Sequence, residues 1–306
     1  MLALLSGGTG TPKLLQGLKQ VLGEEEIAVI VNTSEDEWLP HGYFSPDVDT
    51  VLYTLSGQIN EETWYGIKGD TFFTHEQLNN LRHEEVLRIG DRDRATHIQR
   101  GQLLRSGKTL SQAIEVQRKR LGVRTEVYPM SDDEVRTVVA TDEGEMGLHE
   151  FLIAHRGKPR VSDVYHKSAD NARACEKAVE ALKKADSVII GPSNPISSIL
   201  PITSLSGMQE ALINKRSKCL AVSPIVGGKV VSGPAAIFMQ AKGLEVCSKT
   251  VAQLYSEFIG SIILDESEDG FKVPGVKCFK GKTMMHNLED KKALARFALE
   301  VLAYPF

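Results

Sequence analysis

Two loops and two charged clusters carry the residue types that could do chemistry. The first loop, Ser6-Gly7-Gly8-Thr9-Gly10-Thr11-Pro12-Lys13, stands between an apolar run and a helix-like pattern. It is not a phosphate loop of the G-x-x-x-x-G-K-[ST] kind, because Leu14 stands where a magnesium-binding hydroxyl is needed. Nor is it G-x-G-x-x-G: Lys13 takes the place of the third glycine, and the next strand ends at Asn32 and not at a ribose-binding acid. The physics of an anion site survives both failures. Glycines ahead of a helix expose backbone N–H groups, and Thr9, Thr11 and Lys13 add donors. A tight strand-to-helix turn with no ligand is the plain alternative.

The second loop, Gly191-Pro192-Ser193-Asn194-Pro195, places small polar groups on a backbone stiffened by proline. It suits a second phosphate or a base, and equally a rigid connection. In Ser45-Pro46-Asp47-Val48-Asp49-Thr50 two carboxylates stand two residues apart. If that segment is extended, both face one side and could hold a hard cation through oxygen; most such pairs are solvated turns. Arg88-Ile89-Gly90-Asp91-Arg92-Asp93-Arg94 offers guanidinium forks that suit a phosphate, or else a helix start with surface ion pairs. Two such loops on one sheet, with an acidic pair beside them, point to a nucleoside diphosphate and a metal.

The elements that must position these residues are legible. Leu2–Leu5 reads as a strand, Lys13–Leu22 as a helix with Pro12 at its first position, and Ile27–Val31 as a second strand. This is a βαβ unit, the mark of a parallel sheet with helices packed on it. Residues 33–125 are polar and read as a mostly helical insertion, closed by a helix with a Thr109–Gln112 capping box and Gly122 beyond it. A strand follows at Arg136–Thr141. The second half alternates: helix Ala169–Lys184, strand Ser187–Ile190, helix Met208–Asn214 and strand Leu220–Val222. It continues with helix Val251–Phe258, strand Ser261–Leu264 and a terminal helix Asp290–Leu302. The expectation is a single α/β domain over residues 1–306, a Rossmann-like parallel sheet carrying the 33–125 insertion.

Composition narrows the function classes. The 306 residues are 42% hydrophobic and 25% charged, with a net charge of -4, which gives no general affinity for nucleic acid or anionic membranes. The most apolar later stretch, from Ser187, is broken by Pro192, Pro195 and Pro201 and makes a poor membrane span. Four cysteines, Cys175, Cys219, Cys247 and Cys278, are far apart, which argues against a zinc site or disulfides and fits a reducing cytoplasm.

Taken in order, SGGTGTPKLLQGL, VNTSED, SPDVDTVLYTLSG, GDRDRATHIQR, LRSGKTLSQAI, YPMSDDEVRT and DSVIIGPSNPISSILP resemble the 2-phospho-L-lactate transferase (CofD) family of coenzyme F(420) biosynthesis. The resemblance spans nearly the whole chain. It implies transfer of the 2-phospholactyl group from lactyl-2-diphospho-5′-guanosine to the terminal ribityl hydroxyl of 7,8-didemethyl-8-hydroxy-5-deazariboflavin. GMP leaves and Mg²⁺ is required. A Rossmann-like core and a homodimer are implied as well. Glu35-Asp36 stands where many members show two aspartates.

On this reading the guanosine diphosphate donor lies across Gly8, Thr9 and Gly10 and across Gly191, Pro192, Ser193 and Asn194, with Lys13 offsetting phosphate charge. Asp47 and Asp49 are the expected catalytic and metal-holding pair. Asp49 and Arg88 are assigned by resemblance to the deazaflavin precursor's pocket, with Asn32 and Asp36 beside its ring or ribityl chain. Two other functions compete. One is a sugar-nucleotide-binding regulator of the gluconeogenesis-factor type, against which the PDVD and GDRD segments argue. The other is a nicotinamide-dependent oxidoreductase, against which the missing third glycine and ribose acid argue.

Overall fold

The computed structural model describes residues 1–83 and 85–305. LALLS and IAVIV are buried throughout and form β1 (Leu2–Ser6) and β2 (Ile27–Val31), joined through α1 (Gly10–Leu18). Continuous apolar runs of this kind need cover on both faces, as a parallel sheet provides. A hairpin of β3 (Glu37–Leu39) and β4 (Gly42–Phe44) leads to α2 (Pro46–Leu55), α3 (Phe73–Asn80), α4 (Asp91–Arg105) and α5 (Leu110–Arg120). After β5 (Glu126–Pro129) come β6 (Arg136–Thr141), β7 (Gly144–Gly147) and β8 (Val161–Lys167), then α6 (Glu176–Lys184) and β9 (Ser187–Ile190). Next are α7 (Leu200–Thr203), α8 (Met208–Lys215), β10 (Cys219–Val222) and the short β11 (Ile225–Val226) and β12 (Lys229–Val230). The chain ends through α9 (Ala235–Ala241), α10 (Ser248–Leu254), β13 (Ser261–Asp265), β14 (Lys277–Gly281) and α11 (Leu288–Val301).

Seven strands pair in parallel in the order β14-β13-β10-β9-β1-β2-β5. The fold is α/β, as the βαβ opening predicts. Alternation along β1 divides the core: Leu2 and Leu4 face one layer with α1, α2, α5 and α11, while Ala3 and Leu5 face the other with α6 and α8 to α10. The chain runs from β1 outward to β2 and β5, then returns to β9 and runs the other way. The crevice at the carboxyl ends of β1 and β9 is therefore the topological switch point, where open α/β sheets bind ligands. Among the described residues, no helix is long and apolar enough to cross a membrane.

Several elements differ from expectation. α1 begins at Gly10, so Pro12 is its third residue, where a missing N–H still has no helical partner to lose. The helix expected from Ala169 starts at Glu176, because residues 168–171 form a turn and Arg173 and Ala174 bridge to Ser206 and Ser131. β6 joins β7 and β8 in a separate antiparallel sheet. The largest correction concerns Pro46-Asp47-Val48-Asp49, which is the first turn of α2 and not extended. Proline at the first helical position with acids behind it is a helix start. Two residues apart on a helix do not share a face, so the two carboxylates diverge.

Candidate active site

The two predicted loops meet over the switch point, and close backbone approach fastens them together. A Cβ on Gly10 would collide with the Pro192 carbonyl, and one on Gly191 with the Thr11 side chain. Ser193 Oγ accepts from Gly7 N at 3.2 Å and lies 2.7 Å from Thr11 Oγ1. Asn194 caps the π turn Pro195–Ile199, its Oδ1 accepting from Ile196 N and Ser197 N at 2.9 and 3.3 Å. Its buried Nδ2 has no partner. An unused amide donor on a cavity wall suits an acceptor-rich ligand.

The loops wall a cavity of about 330 Å³. Gly8, Thr9, Gly10, Lys13, Pro192, Ser193 and Asn194 all line it; Gly191 lies just behind, against Thr11. Lys13 brings positive charge, although burial, and then the neighbouring Lys291, lower its pKa. Two carboxylates, Glu35 and Asp47, share the same wall. A Cβ on Gly8 would stand 2.7 Å from Asp47 Oδ1, so the glycine loop and this acid are in direct apposition.

Electrostatics set Asp47 apart. Burial raises its pKa to about 6, against the opposing hydrogen bond from Asn32 Nδ2 at 2.9 Å. Glu35 is pushed well above its ordinary value by burial and by the charges of Asp47 and Asp36. Burial raises Asp36 likewise, although it accepts from Ser45 Oγ at 2.7 Å; its Oδ1 is buried without a partner. Three crowded carboxylates, one of them with a buried oxygen left unpaired, make an all-oxygen donor set, the kind that Mg²⁺ prefers. The residues present fit such an ion at Glu35 and Asp47, on the wall of the cavity.

Asp49 is not on that wall. It is pulled to the far side of α2 by the fully buried Arg100, whose guanidinium binds both of its oxygens, and by His97 Nε2 at 3.3 Å. Burial alone would raise the Asp49 pKa; Arg100 and then His97 outweigh it and hold the carboxyl below its ordinary value. Arg100 in turn donates to Gln117 Oε1 at 3.0 Å and to the Tyr43 carbonyl at 3.2 Å. Asp49, Asp93 and His97 could together surround an ion, but Arg100 already neutralises Asp49 there. The expected Asp47–Asp49 metal pair therefore does not form, because the helix divides it.

Of the other expected precursor contacts, Asn32 and Asp36 stay close to Asp47, whereas Arg88 lies apart on the exposed segment before α4. Asn32 is buried at the end of β2, holding Asp47 on one side and Ser34 on the other. Asp36 is buried beside Ser45, and Arg88 is exposed with its guanidinium 4.0 Å from the Phe72 ring centre. Asp91 and Asp93, within the charged cluster, serve the helices: Asp91 accepts from Phe73 N and Thr74 N at the start of α3, and Asp93 accepts from Tyr53.

A second cavity, of about 460 Å³, lies beyond the β3–β4 hairpin, walled by Leu39, His41, Glu85, Leu87 and His149 among others. The segment after β7 separates the two spaces: Leu148 and Leu152 face the first, His149, Glu150 and Ala154 the second. Sequence reasoning missed this partition, and missed the first cavity's far wall of Val226–Ala235 and Thr283–His286. Ser232-Gly233-Pro234 ahead of α9 was the available signal, a small-residue loop before a helix much like the two that were found.

Comparison with known proteins agrees with this architecture. Residues 2–285 match the family model for the 2-phospho-L-lactate transferase CofD. The 2-phospho-L-lactate transferase of Methanocaldococcus jannaschii is 49% identical over 98% of this chain and 97% of its own. That of Methanothermobacter thermautotrophicus is 48% identical over 98% and 97%. A crystal structure of a UPF0052 family member from Bacillus halodurans shares the fold, with a TM-score of 0.61 at 18% identity over 97% of this chain and 98% of that one. With its family model matched almost end to end and near-half identity to full-length relatives, the chain belongs to the 2-phospho-L-lactate transferase (CofD) family.

Proposed function

We propose that this chain moves the 2-phospholactyl group of lactyl-2-diphospho-5′-guanosine onto the terminal ribityl hydroxyl of 7,8-didemethyl-8-hydroxy-5-deazariboflavin, releasing GMP, in a Mg²⁺-dependent step of coenzyme F(420) biosynthesis. A homodimer in the cytoplasm belongs to the same reading. One observation carries it: a glycine loop suited to phosphate and a set of crowded carboxylates stand side by side on the wall of one cavity.

The diphosphate rests against Gly8–Gly10 and Pro192–Asn194, with Lys13 and the free Asn194 amide as side-chain donors. A single partly neutralised lysine is a weak match for a diphosphate beside two acids, which is why a cation is part of the proposal. Glu35 and Asp47 would hold it, and bound Mg²⁺ supplies charge neutralisation on the phosphate oxygens. The hydroxyl oxygen forms its bond to the lactyl-bearing phosphorus while the anhydride P–O bond breaks toward GMP. Asp47 would receive the hydroxyl's proton, and a loose transition state asks little basicity of it. The second cavity, with Arg88 on the segment at its margin, suits the precursor's ring. Asp49 then acts through Arg100 to set the start of α2, a positioning role.

The test is GMP release from lactyl-diphosphoguanosine with Mg²⁺, with and without the precursor. Release that depends on the precursor is expected. Tight donor binding without release would transfer the chain to the nucleotide-binding regulators.

A further inference from the structure

We infer that Trp64 is a positioning residue of the donor's phosphate site, its indole holding the Lys13 ammonium at the wall of the first cavity; this rests on the donor reading above. Two lysines from different helices stand over one ring. Lys13 Nζ, from α1, is 5.2 Å from the centre of the Trp64 indole, and Lys291 Nζ, from α11, is 4.4 Å from it. An ammonium within about 6 Å of an indole face is attracted by the ring's electron density.

The two charges are provided for differently. Lys291 is buried and donates to Gln16 Oε1 at 2.5 Å and to Glu61 Oε2 at 3.2 Å. Gln16 Nε2 in turn donates to Glu61 Oε1 at 2.8 Å, so both oxygens of that carboxylate are occupied. Among the described residues the Lys13 ammonium has no hydrogen-bond acceptor and no paired carboxylate, and the indole is what holds it. Burial, and then the like charge of Lys291, work against its protonated form. A phosphate on the cavity side supplies the counter-charge that the chain withholds.

A tightly closed loop puts the ring there. Residues 60–66 lie between α2 and α3, where Asn60 N donates to the Gly66 carbonyl at 3.1 Å and Trp64 N to the Asn60 carbonyl at 2.8 Å. Ile59 and Ile67 form an antiparallel bridge beside it. Trp64 takes the left-handed backbone, φ 60°, which a bulky side chain adopts only under constraint from its surroundings. It is 8% exposed, packed with Tyr53, Ile59 and Ile67. The two helices are also fixed to each other, since a Cβ on Gly17 of α1 would collide with the Lys291 carbonyl of α11. With ring and helices set, the long Lys13 stem is ordered before an anion arrives, and binding does not have to order it.

The experiment is calorimetric titration of the full chain with GDP and Mg²⁺ across a double-mutant cycle. Trp64→Leu, which keeps an apolar side chain without a π face, and Lys13→Met are each expected to weaken GDP about three- to tenfold. The chain carrying both should bind no more weakly than Lys13→Met alone, and Trp64→Phe, which keeps a ring face, should recover most of the loss. Unchanged affinity in Trp64→Leu, losses that multiply in the double variant, or a Phe variant as weak as the Leu one would overturn the assignment and leave Trp64 a core residue only. A second measurement needs no change at position 64. With Trp38→Phe, Trp64 is the sole indole, and its emission should change on GDP binding but not when Lys13→Met is added. Emission that bound GDP leaves unmoved would also overturn the assignment. A wild-type chain that does not bind GDP removes the donor reading itself, whereas GDP binding without coupling between Trp64 and Lys13 removes only the role of Trp64.

Discussion

Asp47 is where burial, charge and chemistry meet most directly. Its carboxyl is shifted from 3.8 to about 6, so the folded chain keeps a proton that the unfolded chain releases between those values. Stability therefore falls as pH rises through that window. Asp47→Asn should recover on the order of 2–3 kcal/mol at pH 8 without metal, and none near pH 3.5, as read from melting temperature against pH. Turnover by the same variant should fall by about two orders of magnitude or more, the loss being in kcat. Arg100 predicts the opposite balance. Arg100→Met leaves the Asp49 carboxylate buried with only His97 beside it, and should destabilise the chain by about 3 kcal/mol in denaturant titration. The variant that also changes Asp49→Leu should recover much of that loss. Sequence named both Asp47 and Asp49, but could not separate their roles, because the separation depends on which side of a helix each one takes.

At the scale of elements, legibility followed burial. β1, β2, β9, β10 and β13 are continuous apolar runs and were readable to within a residue or so. β14, with Lys277 and Lys280 in five residues on the sheet's edge, carries no such signal. The Thr109–Gln112 capping box predicted α5 and is present, with Gln112 N donating to Thr109 Oγ1 at 3.3 Å and Thr109 N to Gln112 Oε1 at 3.2 Å. The GDRD segment was harder to read, because its partner is distant in sequence. Asp70 accepts from Arg92 N and Asp93 N at 3.0 Å each, capping α4 from a separate turn, while Asp91 caps α3 in return. No local pattern announces a cap supplied from twenty residues away. Asp70→Ala should cost about 1 kcal/mol, the usual worth of a lost helix cap, and should speed amide exchange first in the opening turn of α4.

For the whole molecule, strand order was not legible at all, yet it decides which loops share a cavity. Because β1 and β9 are neighbours, two loops read separately from the sequence become one site, and residues after β10 and β14 become its far wall. Ligand linkage should report this arrangement. GDP at about a hundred times its Kd stabilises by about 2.7 kcal/mol, and Mg²⁺ should add to that shift by relieving the crowded acids. Differential scanning fluorimetry with GDP, with Mg²⁺ and with both checks it; a combined shift no larger than that with GDP alone would count against the ion at Glu35 and Asp47.

The contact between Gly10 and Pro192, and between Thr11 and Ser193 182 positions later, has a meaning in time as well as in space. A nascent chain that has emerged only through α5 carries the first glycine loop with nothing to lean on. The binding site begins to exist when β9 slots in beside β1, a non-local pairing of the slow kind. A nucleotide bound there as proposed would therefore reward only a molecule in which the two loops have met, and a fluorescent GDP analogue would serve as a stopwatch for that pairing.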